Sequence, residues 1–252
     1  MENKSTPKIK IVILAAGKGR RMESDLPKAL MPLRGKPMIT YLLASVQKSG
    51  IDPEPVIVVG YKKELVEETL GEKYFYLDQT ENLGTGHAVG IGRSYLEDKA
   101  DYIVVLYGDQ PFTSAETIRE LVNKHLKYGK KITLATVKLE DFRDWRINFV
   151  QFSRILRDQN GKIIGDVQFK DATDKQVKIT EVNPCYFCFE AKWLWRNLEL
   201  LKNENAQEEY YLTDLIKIAA AEGEEIESID IAPHEALGAN TQRELEILEA
   251  FV

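Results

Sequence analysis

Lys18, Arg20, Arg21 and Lys28 place four cations within eleven positions, threaded around Gly17 and Gly19. Glycines at such a turn permit φ > 0 and let a ligand approach the backbone where side chains would block it. Ringed with cations, the turn suits a polyanion such as a nucleoside triphosphate, although a tight turn of this kind needs no ligand. Two further places carry chemistry. Gln79 brings an amide with donor and acceptor in one plane, as reading a nucleobase edge requires, ahead of Gly84-Thr85-Gly86. Asp109 ends the strand-like run Tyr102–Asp109 and supplies hard carboxylate oxygens that suit Mg2+, or could instead cap the helix that follows near Ser114.

These groups need a frame to hold them. Ile9-Lys10-Ile11-Val12-Ile13-Leu14 is a β-branched run of strand length, the pattern of a central parallel strand buried on both faces. The runs 55–60, 74–78, 102–109 and 132–137 predict four more strands, with helices over 38–49 (stopped by Gly50), 62–70 and from about 114. A further helix is expected near His87, a residue better placed to orient its loop than to catalyse. This alternation predicts right-handed crossovers and a mostly parallel sheet, with ligands at the C-terminal ends of its strands. Neither of two familiar phosphate loops is present. Gly17-Lys18-Gly19-Arg20-Arg21 runs into Met22 where a dinucleotide fingerprint needs a third glycine, and no G-x-x-x-x-G-K-[ST] occurs.

Composition narrows the classes. With 252 residues, 44% hydrophobic and 29% charged, the chain can bury a sizeable core. A net charge of -6 argues against a general nucleic-acid binder, so the cations near residue 20 stand out as local chemistry. No apolar run is long enough for a membrane span and residues 1–8 are polar, so a cytoplasmic location is expected.

The string from Leu14 to Leu30 resembles the L-x-x-G-x-G-x-R-M-x(3)-L-P-K-x-L signature of sugar-phosphate nucleotidyltransferases. It resembles most the uridyltransferase half of the bacterial bifunctional N-acetylglucosamine-1-phosphate uridyltransferases. The resemblance implies an α/β fold: a Rossmann-like, mostly parallel sheet with flanking helices, plus a smaller antiparallel sugar-binding lobe. It implies one domain, with a nucleotide-binding part over about 8–138, a sugar-binding lobe over about 139–230 and a metal-binding turn with C-terminal helix over about 231–252. The implied chemistry is transfer of a uridylyl group from UTP to a sugar 1-phosphate, with a UDP-sugar and pyrophosphate as products. Such a reaction would serve cell-envelope precursor synthesis. N-acetylglucosamine 1-phosphate is the leading sugar; another sugar phosphate or nucleotide, or a non-catalytic nucleotide-sugar sensor, are the alternatives.

Carried over residue by residue, the resemblance makes Arg21 and Lys28 the catalytic cations. It gives nucleotide contacts to Leu14, Ala15, Ala16, Gly17, Gly19, Gln79, Gly84, Thr85, Tyr107 and Gly108. Asp109 and Asn240 become ligands of Mg2+. The 205–215 stretch resembles a family string that links the two lobes.

Over the sugar lobe the pattern departs. Strands predicted over 150–157 and 162–169 flank Asn160-Gly161, a hairpin signal, and 179–189 reads as another strand of the lobe. Asn183 carries over as a sugar contact. Ser153 stands where the family has glycine, Gln168 where it has glutamate, and Pro184-Cys185 where it has Thr-Gly. Cys185 and Cys188 form a C-x-x-C, but in a strand positions i and i+3 face opposite ways, so packing is the better reading. Thr241 with Glu244 has the form of a capping box, an alternative role for the polar residues around Asn240. No hexapeptide repeat follows, so an acetyltransferase activity and a role for acetyl-CoA are not expected.

Overall fold

The computed structural model describes residues 6–22 and 24–252, with the side chain of Arg20 outside what it describes. The strands are β1 (Ile9–Leu14), β2 (Pro32–Leu33), β3 (Lys36–Pro37), β4 (Val56–Val59), β5 (Phe75–Asp78), β6 (Tyr102–Tyr107), β7 (Ile132–Lys138), β8 (Ser153–Arg157), β9 (Ile163–Val167), β10 (Glu181–Asn183), β11 (Phe187–Glu190) and β12 (Glu227–Asp230). The helices are α1 (Met38–Ser49), α2 (Lys63–Leu70), α3 (Thr85–Ile91), α4 (Arg93–Leu96), α5 (Ala115–Tyr128), α6 (Ala191–Leu198), α7 (Asp214–Ala221) and α8 (Gln242–Glu249).

β5, β4, β1 and β6 lie side by side and parallel, with β1 in the middle as its uninterrupted apolar run requires. Successive side chains of β1 enter opposite layers. Ile11 and Ile13 pack with Leu42, Val46 and Leu121 of α1 and α5, while Val12 and Leu14 pack with Ala88, Leu194 and Leu215 of α3, α6 and α7. Helix ends follow local chemistry: Gly50 takes a left-handed φ of 70° after α1, and Ser114 caps α5 by accepting a hydrogen bond from Thr117 N–H at 3.0 Å.

One expectation fails in an informative way. Residues 179–189 do not form a single strand of the lobe. β10 pairs with β8 in the small antiparallel sheet β10-β8-β9, whereas β11 inserts antiparallel between β6 and β7 of the main sheet. Both run along β7, but from Val182 opposite Val137 to Phe187 opposite Leu134 six residues face four. The two extra residues are absorbed at Pro184-Cys185, where Cys185 adopts φ 67°. β12 likewise joins the main sheet, parallel to β7. β7 is therefore the shared beam of both sheets. Cys188 packs in one layer and Cys185 against the other, and burial pushes both thiols up from their ordinary pKa. No helix among the described residues is long and apolar enough to cross a membrane.

Candidate active site

A cleft of about 860 Å3 opens at the C-terminal ends of the parallel strands and runs towards the small sheet. Its first wall is the loop leaving β1. Ala15 N–H donates to Val58 O at 2.8 Å, Tyr61 N–H to Ala16 O at 3.3 Å, and Lys28 N–H to Gly17 O at 3.2 Å, so the loop folds back onto Lys28. Of the two glycines only Gly19 takes a left-handed φ, 63°, and a Cβ there would lie 3.1 Å from Lys28 Cβ. Gly17 keeps an ordinary φ, contrary to the expectation for the pair. Leu14, Ala15, Ala16, Gly17, Gly19, Arg21 and Lys28 all line the cleft. Arg21 stands exposed on a short 3-10 turn, Arg20–Met22, whose Met22 is buried as its anchor.

Lys28 opens a second 3-10 turn whose Ala29 and Leu30 are buried, and its ammonium group turns back into the cleft. It donates to Asp109 and, at 2.6 Å, to Asn240 Oδ1. Asp109 sits two residues beyond β6 and does not cap α5, a role taken by Ser114. Asn240 is fixed by the turn before α8: Thr241 Oγ1 accepts from Glu244 N–H at 3.2 Å while Glu244 Oε2 accepts from Asn240 N–H at 2.5 Å. Capping and placing Asn240 are thus one device. Oxygens of Asp109 and Asn240 converge on the Lys28 ammonium, and a hard two-oxygen set of this kind would fit Mg2+. Among the described residues no group of three or more His, Cys, Asp or Glu side chains could hold a metal alone.

The second wall carries Gln79, Gly84 and Thr85. Gln79, 6% exposed, follows β5, and its Nε2 donates to Gly84 O at 3.1 Å and lies 3.2 Å from His87 Nδ1. Gly84 has φ 106°, and a Cβ would meet Tyr210 O at 2.7 Å, so no other residue fits. Gly86 N–H donates to Tyr210 O, Tyr210 N–H to Leu83 O, and Leu212 N–H to Thr85 Oγ1 at 3.1 Å. Residues 210–212 are therefore zipped to this loop. α3 begins at Thr85, two residues earlier than expected. Tyr107 also lines the cleft, and burial holds its phenol well above its usual pKa. Gly108 does not line it: a Cβ there would crowd Ile39, Ala15 and Ala29 at 3.2–3.4 Å, so its glycine serves packing.

At the far end, Gln168 lines the cleft and donates through Nε2 to Thr213 Oγ1 at 3.0 Å. Ser153 and Asn183 do not line it. They are 3% and 1% exposed, and both donate to Asp166 Oδ2, at 2.7 and 3.0 Å. Asn183 Oδ1 is taken by Cys185 N–H at 2.7 Å. Burial pushes the Asp166 carboxyl up to about 6, against the hydrogen bonds from Ser153 and Asn183 that favour its charge. Nothing in the local sequence singled out Asp166, an acid in the middle of a short strand. Lys18, Gln151, Lys170, Gln207 and Glu209 also line the cleft. Lys170 donates to Gln207 Oε1 at 2.8 Å, closing one rim. Gln207 and Glu209 lie within the 205–215 string, which the resemblance marks only as a link between the lobes.

The chain is 37% identical to the bifunctional protein GlmU of Caldicellulosiruptor saccharolyticus over 99% of its own length and 52% of that protein. It is 42% identical to the bifunctional protein GlmU of Carboxydothermus hydrogenoformans, over 93% of this chain and 50% of that one. The chain spans about half the length of these curated relatives. A UDP-glucose pyrophosphorylase solved with UDP-glucose shares the fold at a TM-score of 0.77, with 16% identity and 98% of each chain covered. Residues 11–212 match the MobA-like NTP transferase domain, and the chain belongs to that family.

Proposed function

We propose that the chain joins UTP to a sugar 1-phosphate, releasing pyrophosphate and a UDP-sugar. The observation that carries the reading is the meeting of Lys28, Asp109 and Asn240 at one point of a cleft that Arg21 also lines and whose neighbouring wall presents Gln79. In this reading an oxygen of the sugar phosphate forms a bond to the α-phosphorus of UTP as the bond to the β-phosphate oxygen breaks. Displacement at phosphorus asks the protein for positioning and charge neutralisation rather than a covalent nucleophile. Mg2+ held by Asp109 and Asn240 would supply charge neutralisation on the phosphate oxygens. Arg21, exposed on its turn, binds the departing pyrophosphate. Lys28 holds positive charge beside the reacting phosphates, and the loop over residues 14–19 admits them to the backbone. Gln79, Gly84 and Thr85 take the uracil.

The division of labour follows the chain: nucleotide over about 8–138, sugar over about 139–230, and the metal-binding turn with its helix over about 231–252. N-acetylglucosamine 1-phosphate is the leading acceptor, on the sequence resemblance to the bifunctional uridyltransferases. A second reading, another hexose or aminosugar phosphate, is favoured by one observation: Ser153 and Asn183 spend their hydrogen bonds on Asp166. The test is a matrix of nucleoside triphosphates against sugar 1-phosphates read by pyrophosphate release. UTP is expected to be the preferred nucleotide and release to require a divalent cation. Binding of a UDP-sugar without turnover in any combination would overturn catalysis in favour of a sensor.

A further inference from the structure

We infer that His87 sets nucleobase selectivity by fixing which end of the Gln79 carboxamide faces the ligand. This deepens the uridine reading above and rests on it. A glutamine amide is ambiguous by itself, because turning it over exchanges an acceptor for a donor. Here the ambiguity is removed from within the protein. Gly84 O can only accept, so the group 3.1 Å from it must be the NH2 end. The same nitrogen lies 3.2 Å from His87 Nδ1, so its second hydrogen has an acceptor when the imidazole is neutral and carries its proton on Nε2. Both donors of Gln79 are then spent inward. Among the described residues no donor reaches Gln79 Oε1, and Gln79 lines the cleft.

An outward carbonyl oxygen is selective. Uracil offers an N–H at ring position 3, which it can accept. Cytosine has a lone pair at that position, which would oppose that of Oε1. Turning the amide over to suit cytosine would place Oε1 against Gly84 O and leave two buried acceptors facing each other, a cost of the kind paid for unmet polar groups. Gly84 cannot retreat, since the residues on either side of it are tied to Tyr210, whose N–H donates to Leu83 O while its carbonyl accepts from Gly86 N–H, both at 2.8 Å. His87 supplies the second half of the lock. It stands on α3 one turn after Gly84 and touches the ligand only through Gln79, so it is a positioning residue.

The experiment is calorimetric titration of UTP and CTP into the wild-type chain, His87→Leu and His87→Asn, without sugar phosphate. Asparagine can set an oxygen acceptor where Nδ1 stands; leucine cannot. The expected result is a UTP preference that falls about tenfold in His87→Leu, the scale of one lost hydrogen bond, and returns to within about threefold of wild type in His87→Asn. An undiminished preference in His87→Leu, or equal losses in both variants, would overturn the inference. A wild-type chain that binds UTP no better than CTP would instead contradict the uridine reading itself.

Discussion

At the end of the cleft proposed to take the nucleotide, the lining groups are held by backbone geometry that leaves them little freedom. At the sugar end, side chains of matching sequence position are drawn down onto Asp166. Gly19 and Gly84 occupy left-handed conformations that other residues rarely adopt, and Gln79 is fixed by the Gly84 carbonyl. Ser153 and Asn183, by contrast, owe their direction to a single buried carboxylate on β9, which borders the strand of Ser153 and lies two strands away from that of Asn183. A backbone-built site can be read from its glycines and turn residues. A site built on side-chain direction depends on a partner placed by the sheet rather than by the local sequence.

The largest effect should fall at the nucleotide end. Arg21→Ala and Lys28→Ala are expected to lower kcat by about 10²–10³ while leaving thermal stability near wild type, because they remove charge from the transition state. Steady-state kinetics beside a melting curve checks this. Near-normal turnover in both would reduce the glycine loop to a structural turn and erase the contrast between the two ends.

The next effect separates the two halves by pH. Asp166, in the lobe, has its carboxyl raised by burial from 3.8 to about 6. The folded state therefore holds its proton more tightly than the unfolded chain. That contribution is fully present below about pH 4 and lost as pH rises through 6. His125, packed between α5 and β7 in the nucleotide half, has its imidazole lowered by burial from 6.5 to about 4. Its contribution is present above 6.5 and lost as pH falls through 4. The two oppose each other across one window, each by about 3 kcal/mol at 1.36 kcal/mol per pKa unit. Denaturant unfolding at pH 4 and pH 7 should show Asp166→Asn gaining on wild type as pH rises and His125→Leu losing ground. The same sign of change in both variants would refute the assignment.

The smallest effects divide the lobe's own residues. Gln168→Glu should alter the relative kcat/KM of sugar 1-phosphates by about fivefold, since Gln168 lines the cleft and a charge there changes its hydrogen bonding. Ser153→Gly should cost about 1–2 kcal/mol of stability, from the hydrogen bond to Asp166, with sugar preference within about twofold of wild type. If Ser153→Gly moves preference and Gln168→Glu does not, the sugar sits deeper than the cleft suggests.

The legible part of the molecule is what chain-local physics decides. The apolar runs of β1, β4 and β6, the stop at Gly50 and the box at Thr241–Glu244 each follow from nearby residues. So does the gathering of residues 14–28 with Gln79, Gly84 and Asp109, because strand ends in a parallel sheet converge. The break between β10 and β11 was not legible. Apolar alternation runs on through Tyr186-Phe187, and only the left-handed Cys185 shows that the strand changes sheets. Asp166 was hidden for a related reason: an acid in a half-covered strand normally faces solvent, and nothing local shows that Ser153 and Asn183 await it from across the sheet.

The central claim is that the cations of the glycine loop and the oxygens of Asp109 and Asn240 form one centre for nucleotidyl transfer. Its most direct test is pyrophosphate release from UTP and N-acetylglucosamine 1-phosphate by the wild-type chain and Lys28→Ala, assayed together with Mg2+ and after chelation. Release by the wild type with Mg2+, its loss on chelation, and a fall of about 10²–10³ in Lys28→Ala are expected. Equal rates in the two chains, or turnover that survives exhaustive chelation, would contradict it.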